Sequence, residues 1–444
     1  MVNKCRRKLF PGVWIITGIL MGLLFSACGD KEPLLIGFVG GTSGRVADLG
    51  ISGRDAVQLA VDQCNRAGGI HGRQVQLVMK DDQQDPEIAR QAVQEMIRKG
   101  VAAVIGPMTS DMSLAVLPLL DESGILAVSP TGTSQSLSGR DDYFFRVCST
   151  TREFAVKSAN YQIRSGNMRR ISAIYDKSNL SFCKNWLDNF TETFTALGGE
   201  VIHTLEFQAG EDRSFLELGH DVLAMKPDGI LIIANSMDSA MLCQQIRKLD
   251  ADIAITLADW GGTERLLELG GKAVEGVTVV QTFHRDNPNP RFQDFRKEYL
   301  GRFHREPGFP GVYAHDAAQV VFTALKNQKK DQSLKATVLS LKTFQGLQSD
   351  FSFDEFGDVE RLNSSISIVQ NQKFVVVDYR HEISHVHPPL SVAQIRHCGH
   401  IAGSHHCRGR LAVSDPPDAN PDRNSAKGHG PGHCRPDIGP SQGR

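Results

Sequence analysis

Short, almost wholly apolar runs alternate with segments of helical period from residue 34 to residue 379. That alternation leaves few architectures open. The runs are Leu34–Val39, Val75–Met79, Ala102–Ile105, Ile125–Val128, Ile171–Tyr175, Val201–Leu205, Gly229–Ile233, Ile253–Leu257 and Val274–Val280. They are short for helices and lack polar alternation, as expected of strands covered on both faces. Between them, Ala56, Leu59, Ala60 and Cys64 fall on one helical face. Ile88, Ala92 and Met96 mark the next helix, and Leu114 and Leu117 the one after. Strands separated by helices read as βαβ units and an α/β fold with parallel sheets. Gly68-Gly69, Gly100, Gly124, Gly198-Gly199 and Gly270-Gly271 stand just past helix ends, where a left-handed cap is wanted. About 350 residues exceed what one hydrophobic core organises, so two α/β units are expected. The natural break lies near Val147–Arg152.

Ligands of open α/β sheets sit beyond the carboxyl ends of the strands, so the loops after strands are the candidate sites. After the first strand comes Gly40-Gly41-Thr42-Ser43-Gly44-Arg45, which is neither a GxGxxG nor a phosphate loop ending in Gly-Lys-Ser/Thr. Asp81 and Asp82 lie about 40 residues on, twice the spacing of a ribose-binding acid. A nucleotide cofactor is therefore disfavoured. Gly106-Pro107-Met108-Thr109-Ser110-Asp111 enters a helix, where a hydroxyl and free N–H groups suit a carboxylate. Ser129-Pro130-Thr131-Gly132-Thr133-Ser134 offers hydroxyls and carbonyls that suit an ammonium group.

These segments, taken in order and spacing, resemble the extracellular substrate-binding proteins of the leucine/isoleucine/valine type, which serve ABC transporters. The resemblance covers about residues 34–378. It is carried by Gly44–Gly50, Asn65–Arg73, Asp81–Pro86, Val104–Pro107 with Thr109-Ser110, Ile125–Thr133, Ala173–Lys177 and Gly276-Val277. It implies the type I periplasmic binding protein fold: two doubly wound parallel-sheet lobes joined by a three-strand hinge, closing on a ligand between them. It also implies lobes that are discontinuous in sequence. Lobe 1 takes about residues 34–147 and 283–345, and lobe 2 about 148–282 and 346–379.

By position in the resemblance, Ser110 matches the serine that holds the ligand carboxylate. Thr131 and Thr133 match the threonines around the carboxylate and ammonium. The second lobe departs from the pattern. Asp176-Lys177-Ser178-Asn179-Leu180-Ser181 lacks the usual aromatic wall and glycine, and Leu49 stands where an aromatic residue is common. In Leu257-Ala258-Asp259-Trp260-Gly261-Gly262, Asp259 supplies the ammonium partner displaced by one position, or Trp260 replaces that charge with a flat apolar face. Ordinary packing at the cleft mouth is an equal reading of Trp260. Asn179, Ser236 and Asp238 follow second-lobe strands and are further candidates. The ligand is then an amino acid, an amide or a small carboxylate.

Within residues 34–379 no Gly-x-Ser-x-Gly elbow or His-Glu-x-x-His pair occurs, and His315-Asp316 reads as surface or core rather than catalytic. An enzyme is not expected, nor a metal or cofactor. Cys64, Cys148, Cys183 and Cys243 are far apart; in an oxidising compartment any two can bridge, and spacing assigns no pairs.

The ends of the chain differ from its body. Lys4, Arg6, Arg7 and Lys8 precede an uncharged, mostly apolar stretch ending Ser26-Ala27-Cys28. Residues 1–27 resemble a bacterial lipoprotein signal, with Cys28 as the lipidation site and 28–33 as a tether. The competing reading is an uncleaved membrane anchor. Both place the body outside the cytoplasm, on the periplasmic or exterior face. Residues 380–444 hold 9 of the 15 His and no aromatic residue other than His. They read as a disordered tail or as translation in a shifted frame. With +4 on residues 1–27 and +3 on 380–444, the body carries −8 of the net −1, which argues against a nucleic-acid partner. The expected function is a lipid-anchored receptor delivering a small amino-acid-like ligand to ABC permease subunits. The alternative is a ligand-sensing subunit for a signalling partner, because one fold serves both.

Overall fold

The structure is a computed structural model that describes residues 31–166, 168–208, 213–361 and 364–378. The lipoprotein-like signal, Cys28 and the tail 380–444 lie outside the described residues. Residues 31–33 of the expected tether bind the body: Arg73 donates to the carbonyls of Glu32 and Pro33, at 2.9 and 3.1 Å.

The chain opens with β1 (Leu34–Gly40), α1 (Ala47–Arg66), β2 (Val75–Asp81), α2 (Pro86–Lys99), β3 (Val104–Ile105), α3 (Ser110–Ser123), β4 (Ala127–Ser129) and β5 (Phe144–Arg146). The five strands form one parallel sheet in the order β2-β1-β3-β4-β5. Helix α2 has both expected ends. The Asp85 carboxylate accepts from the N–H groups of Glu87 and Ile88, Pro86 fills the first turn, and Gly100 takes a left-handed φ of 73°. Ile36 and Phe38 point into one core and Val39 into another, so both faces of β1 are covered.

A second half follows with α4 (Thr151–Ser165), β6 (Arg170–Asp176), α5 (Leu180–Ala196), β7 (Glu200–Phe207), α6 (Phe215–Leu223), β8 (Gly229–Ile233), α7 (Ser236–Leu249), β9 (Ala254–Leu257), α8 (Glu264–Gly270) and β10 (Thr278–Gln281). The chain then returns to the first half as α9 (Pro290–Phe303), α10 (Gly308–Asn327) and α11 (Leu334–Ser340), with a small sheet of β11 (Phe344–Gln345), β12 (Asp350–Phe353) and β13 (Val359–Glu360). It closes with the antiparallel pair β14 (Ser365–Gln370) and β15 (Lys373–Asp378), which extends the second sheet to the order β15-β14-β10-β9-β8-β6-β7. The architecture is thus α/β, with two doubly wound sheets joined by three passages of the chain.

Several local features refine the sequence expectation. The run Val274–Val280 is a turn followed by a strand, because Gly276 takes a φ of 76° and β10 starts only at Thr278. Residues 346–353 pack on the first half: Leu347 and Phe351 belong to its core, and Phe353 lies 5.4 Å from Phe145. Cys64, Cys148, Cys183 and Cys243 are all free and buried. His315 is buried in the first core, tilted against Phe295 at 4.8 Å.

The passages between halves are fastened by buried polar groups. Arg146 is 1% exposed, donates to the carbonyl of Ser134 at 2.9 Å and pairs with Asp358. The Ser149 hydroxyl donates to the carbonyl of Arg361 at 2.6 Å, linking the first passage to the third. Thr151, the first residue of α4, donates through its hydroxyl to the carbonyl of Thr133 at 2.7 Å.

Candidate ligand-binding cleft

The carboxyl ends of β3 and β4 bring two hydroxyl-rich loops together. After β3, Gly106 takes a φ of 110°, and a side chain there would collide with the Val39 carbonyl. That close approach directs Pro107–Thr109 into the cleft before α3 begins. The Ser110 hydroxyl accepts from the backbone N–H groups of Thr133 and Ser134, at 3.2 and 3.1 Å. This ties the loop after β3 to the loop after β4, and the Ser110 hydroxyl keeps a proton to donate. Thr131 donates to the carbonyl of Met108, and Gln84 donates to the Thr109 hydroxyl at 2.9 Å. The Thr133 hydroxyl is buried and has no partner among the described residues. A buried hydroxyl of that kind ordinarily finds one, so it remains available to a ligand or water.

The opposite wall comes from the ends of β6 and β9. Asn179 follows β6 and accepts from the backbone N–H of Asp111 at 3.1 Å. After β9 the chain makes a single tight turn, Asp259–Gly261. Trp260 sits edge-on to Phe182, with ring centroids 5.6 Å apart. Asp259 is 6% exposed and accepts from the Trp186 indole at 3.0 Å. Among the described residues, no basic side chain forms an ion pair with it. Burial pushes the Asp259 carboxyl up to about 7, and the indole hydrogen bond opposes only part of that rise.

The two walls enclose a cavity of about 20 Å³. Its polar lining is Thr109, Thr131, Asn179 and Asp259. Leu49, Met108, Phe182, Trp260 and Phe309 supply the apolar lining. A space of that size holds about one water, so an amino acid enters only when the walls part. Ser110 and Thr133 stand just behind the lining, buried and joined to it through their own loops. Ser236 and Asp238 are placed elsewhere, because the start of α7 meets the first half at the flank of the cleft. Ser236 and Thr263 both donate to Asp48, each at 2.6 Å, while Asp238 pairs with Arg45. Of the expected site residues, the cavity therefore gathers Thr131, Asn179, Asp259 and Trp260.

Phe182 and Phe309 were not expected. Phe182 reads as ordinary core spacing with Cys183 and Trp186, and Phe309 arrives from a segment far beyond β3 in the sequence. Two larger depressions lie apart from this cavity. One of about 510 Å³ borders Arg45, Asp48 and Arg305, and one of about 540 Å³ borders Phe295, His315 and Phe344. Charged groups at the rim of the first are already paired, as in Arg305–Asp55 and Arg296–Glu306.

Comparison with known proteins agrees with this fold. The family described as periplasmic binding protein matches residues 33–372. The chain is 27% identical over 263 residues to the Leu/Ile/Val-binding protein BraC3 of Rhizobium johnstonii, covering 59% of this chain and 71% of that protein. It is 22% identical over 345 residues to the leucine-, isoleucine-, valine-, threonine- and alanine-binding protein of Pseudomonas aeruginosa, covering 76% and 89%. Among solved structures, an isoleucine complex of the branched-chain amino acid transporter substrate-binding protein LivJ from Streptococcus pneumoniae superposes with a TM-score of 0.71, at 24% identity, covering 78% of this chain and 99% of that one. A solute-binding protein of an ABC transporter from R. palustris in complex with benzoate gives a TM-score of 0.71 at 18% identity, covering 78% and 96%. The fold is that of type I periplasmic binding proteins, and the chain belongs to the periplasmic binding protein family.

Proposed function

We propose that the protein is a solute receptor of an ABC importer that captures a small α-amino acid between two lobes. The single observation that carries this reading is Asp259, a buried carboxylate with no basic partner among the described residues, facing hydroxyl-rich loops across one cavity. A buried unpaired carboxylate is costly, and an ammonium group removes that cost. The opposite wall supplies what a carboxylate needs: the hydroxyls of Ser110 and Thr133 beside the first turn of α3. Trp260, Phe182 and Leu49 then receive an apolar side chain. The relatives named for leucine, isoleucine and valine support a branched-chain ligand. The benzoate complex of a more distant relative keeps small carboxylates in the comparison set.

In this reading lobe 1 comprises about residues 34–147 and 283–361, and lobe 2 about 148–282 and 364–378. The apolar packing of Phe351 and Phe353 supports the later boundary. The lobes close by hinge motion at the three passages. The protein acts outside the cytoplasm, anchored through lipid on Cys28, and passes its ligand to permease subunits rather than transforming it.

A thermal-shift screen of amino acids, amides and small carboxylic acids tests this. A ligand at 100 times its dissociation constant stabilises by about 2.7 kcal/mol. Stabilisation by leucine, isoleucine or valine is expected, and stabilisation by carboxylic acids alone contradicts the reading.

A further inference from the structure

Trp186 hydrogen-bonds Asp259 but does not itself line the cavity. Its side chain is fully buried, and its ring stacks on Phe190 at 5.5 Å and 17°. Phe190 stacks in turn on Phe194 at 5.1 Å. This column runs along α5 and covers one face of the indole. The indole N–H can only donate, and it donates to Oδ1 of Asp259 at 3.0 Å. No other side chain among the described residues hydrogen-bonds that carboxylate. The titratable neighbours that feel its charge are the thiols of Cys148 and Cys183, both raised by burial and therefore neutral.

We infer that Trp186 is a positioning residue for ligand selection: its N–H orients the Asp259 carboxylate and favours its ionised form, so that the cleft prefers a ligand bearing an ammonium group to the same ligand without one. The inference rests on the proposed role of Asp259. A donor aimed at a carboxylate favours its charged form, and a hydrogen bond to a charged acceptor exceeds one to a neutral acceptor. Without the indole N–H, Asp259 takes up a proton more readily. A neutral carboxylic acid has no charge to offer an ammonium group, whereas it tolerates an uncharged methylene.

The test is calorimetric titration of the full chain with leucine and with its des-amino analogue, 4-methylpentanoate. The wild type is expected to prefer leucine. Trp186→Phe keeps most of the ring volume and removes the donor. It should lower the ratio of leucine to 4-methylpentanoate affinity about tenfold, the effect of roughly one charge-assisted hydrogen bond. Phe190→Leu loosens the same column without touching the donor, and should lower Tm while keeping the ratio. Asp259→Asn should abolish the preference.

A wild-type ratio retained in Trp186→Phe, with the preference lost in Asp259→Asn, overturns the role of Trp186 alone. A wild type that binds 4-methylpentanoate as tightly as leucine, or binds neither, overturns the role of Asp259 and this inference with it. A measurement on the unaltered sequence covers the case in which Trp186→Phe does not fold. The indole N–H resonance of Trp186 should shift when leucine binds and hold still with 4-methylpentanoate, and a resonance indifferent to both contradicts the inference.

Discussion

Asp111 and Asn179 cap each other's helices across the cleft. Asp111 lies in the first turn of α3 in the first half, and its carboxylate accepts from the N–H groups of Leu180 and Ser181, at 2.7 and 2.9 Å, where α5 begins in the second half. Asn179 returns the contact, its side-chain carbonyl accepting from the Asp111 N–H at 3.1 Å. Helix starts leave several N–H groups unsatisfied, and here each half supplies the acceptor that the other lacks. The contact exists only while the halves are together.

Removing this exchange should favour separation of the halves. Asp111→Ala loses two acceptors at a helix start, an effect of about 1 kcal/mol. The unliganded variant should show a larger radius of gyration by small-angle scattering, and its ligand affinity should fall by about fivefold. Scattering curves and affinities identical to wild type would show that the reciprocal caps contribute nothing to closure.

Asp259 gives the cleft a pH dependence whose sign is fixed. Its folded value, about 7, lies above the ordinary value of about 4, so between these the folded protein holds a proton that the unfolded chain has released. Its contribution to stability is present in acid and is lost as pH rises toward 7. Asp82, raised to about 6 by burial, acts in the same direction. His315 opposes both below its ordinary value, since burial pushes it down to about 4. The clean quantity is therefore the difference between wild type and Asp259→Asn. Wild-type Tm, relative to the variant, should fall between pH 5 and pH 7.5. Binding of an ammonium ligand should release a proton near pH 6.5, readable from calorimetry in buffers of different ionisation enthalpy. A constant Tm difference, with no proton release, refutes the assignment.

The third passage between halves depends on a buried ion pair. Arg361 donates to Asp316 at 2.9 Å, the two side chains are 2% and 1% exposed, and the guanidinium lies 4.1 Å from the Phe351 ring centre. Asp316→Ala strands a buried cation and should cost about 3–5 kcal/mol in urea unfolding. The double replacement Asp316→Leu with Arg361→Met should cost less than Asp316→Ala alone. A double variant as unstable as the single one would mean that the charges themselves are not what the site requires.

Most of the parallel strands were legible in the sequence, because burial on both faces makes them continuous apolar runs. The strands that escaped are those whose burial is partial or polar. β5 spans only Phe144–Arg146 and ends in a buried arginine, which no apolar pattern announces. β14 alternates buried serines with isoleucines, and β11 and β13 are two residues each. The hydroxyl wall of the cleft was legible because it lies directly after strands. Asp259 was legible by its place after β9, but its lack of a basic partner was not, since that depends on residues distant in sequence. Trp186 was illegible as anything but core, for its spacing with Phe182 and Phe190 is that of an apolar helix face. The flank contacts of Ser236 and Asp238 could not be foreseen, because Asp48 and Arg45 lie nearly 200 residues earlier.

Lipid anchoring predicts a simple partition. The full chain expressed in a bacterium should incorporate labelled palmitate and sediment with membranes. Cys28→Ser should lose the label and should remain soluble or uncleaved. Unlabelled wild-type protein in the soluble fraction contradicts the anchor.

The most direct test of the account is isothermal titration of the purified full chain with leucine, isoleucine and valine, for wild type and for Ser110→Ala. One-to-one saturable binding of at least one of the three, weakened about tenfold or more by loss of the Ser110 hydroxyl, is the predicted result. Absence of binding to all three, or affinity unchanged in Ser110→Ala, would contradict a cleft that holds an amino-acid carboxylate at the start of α3.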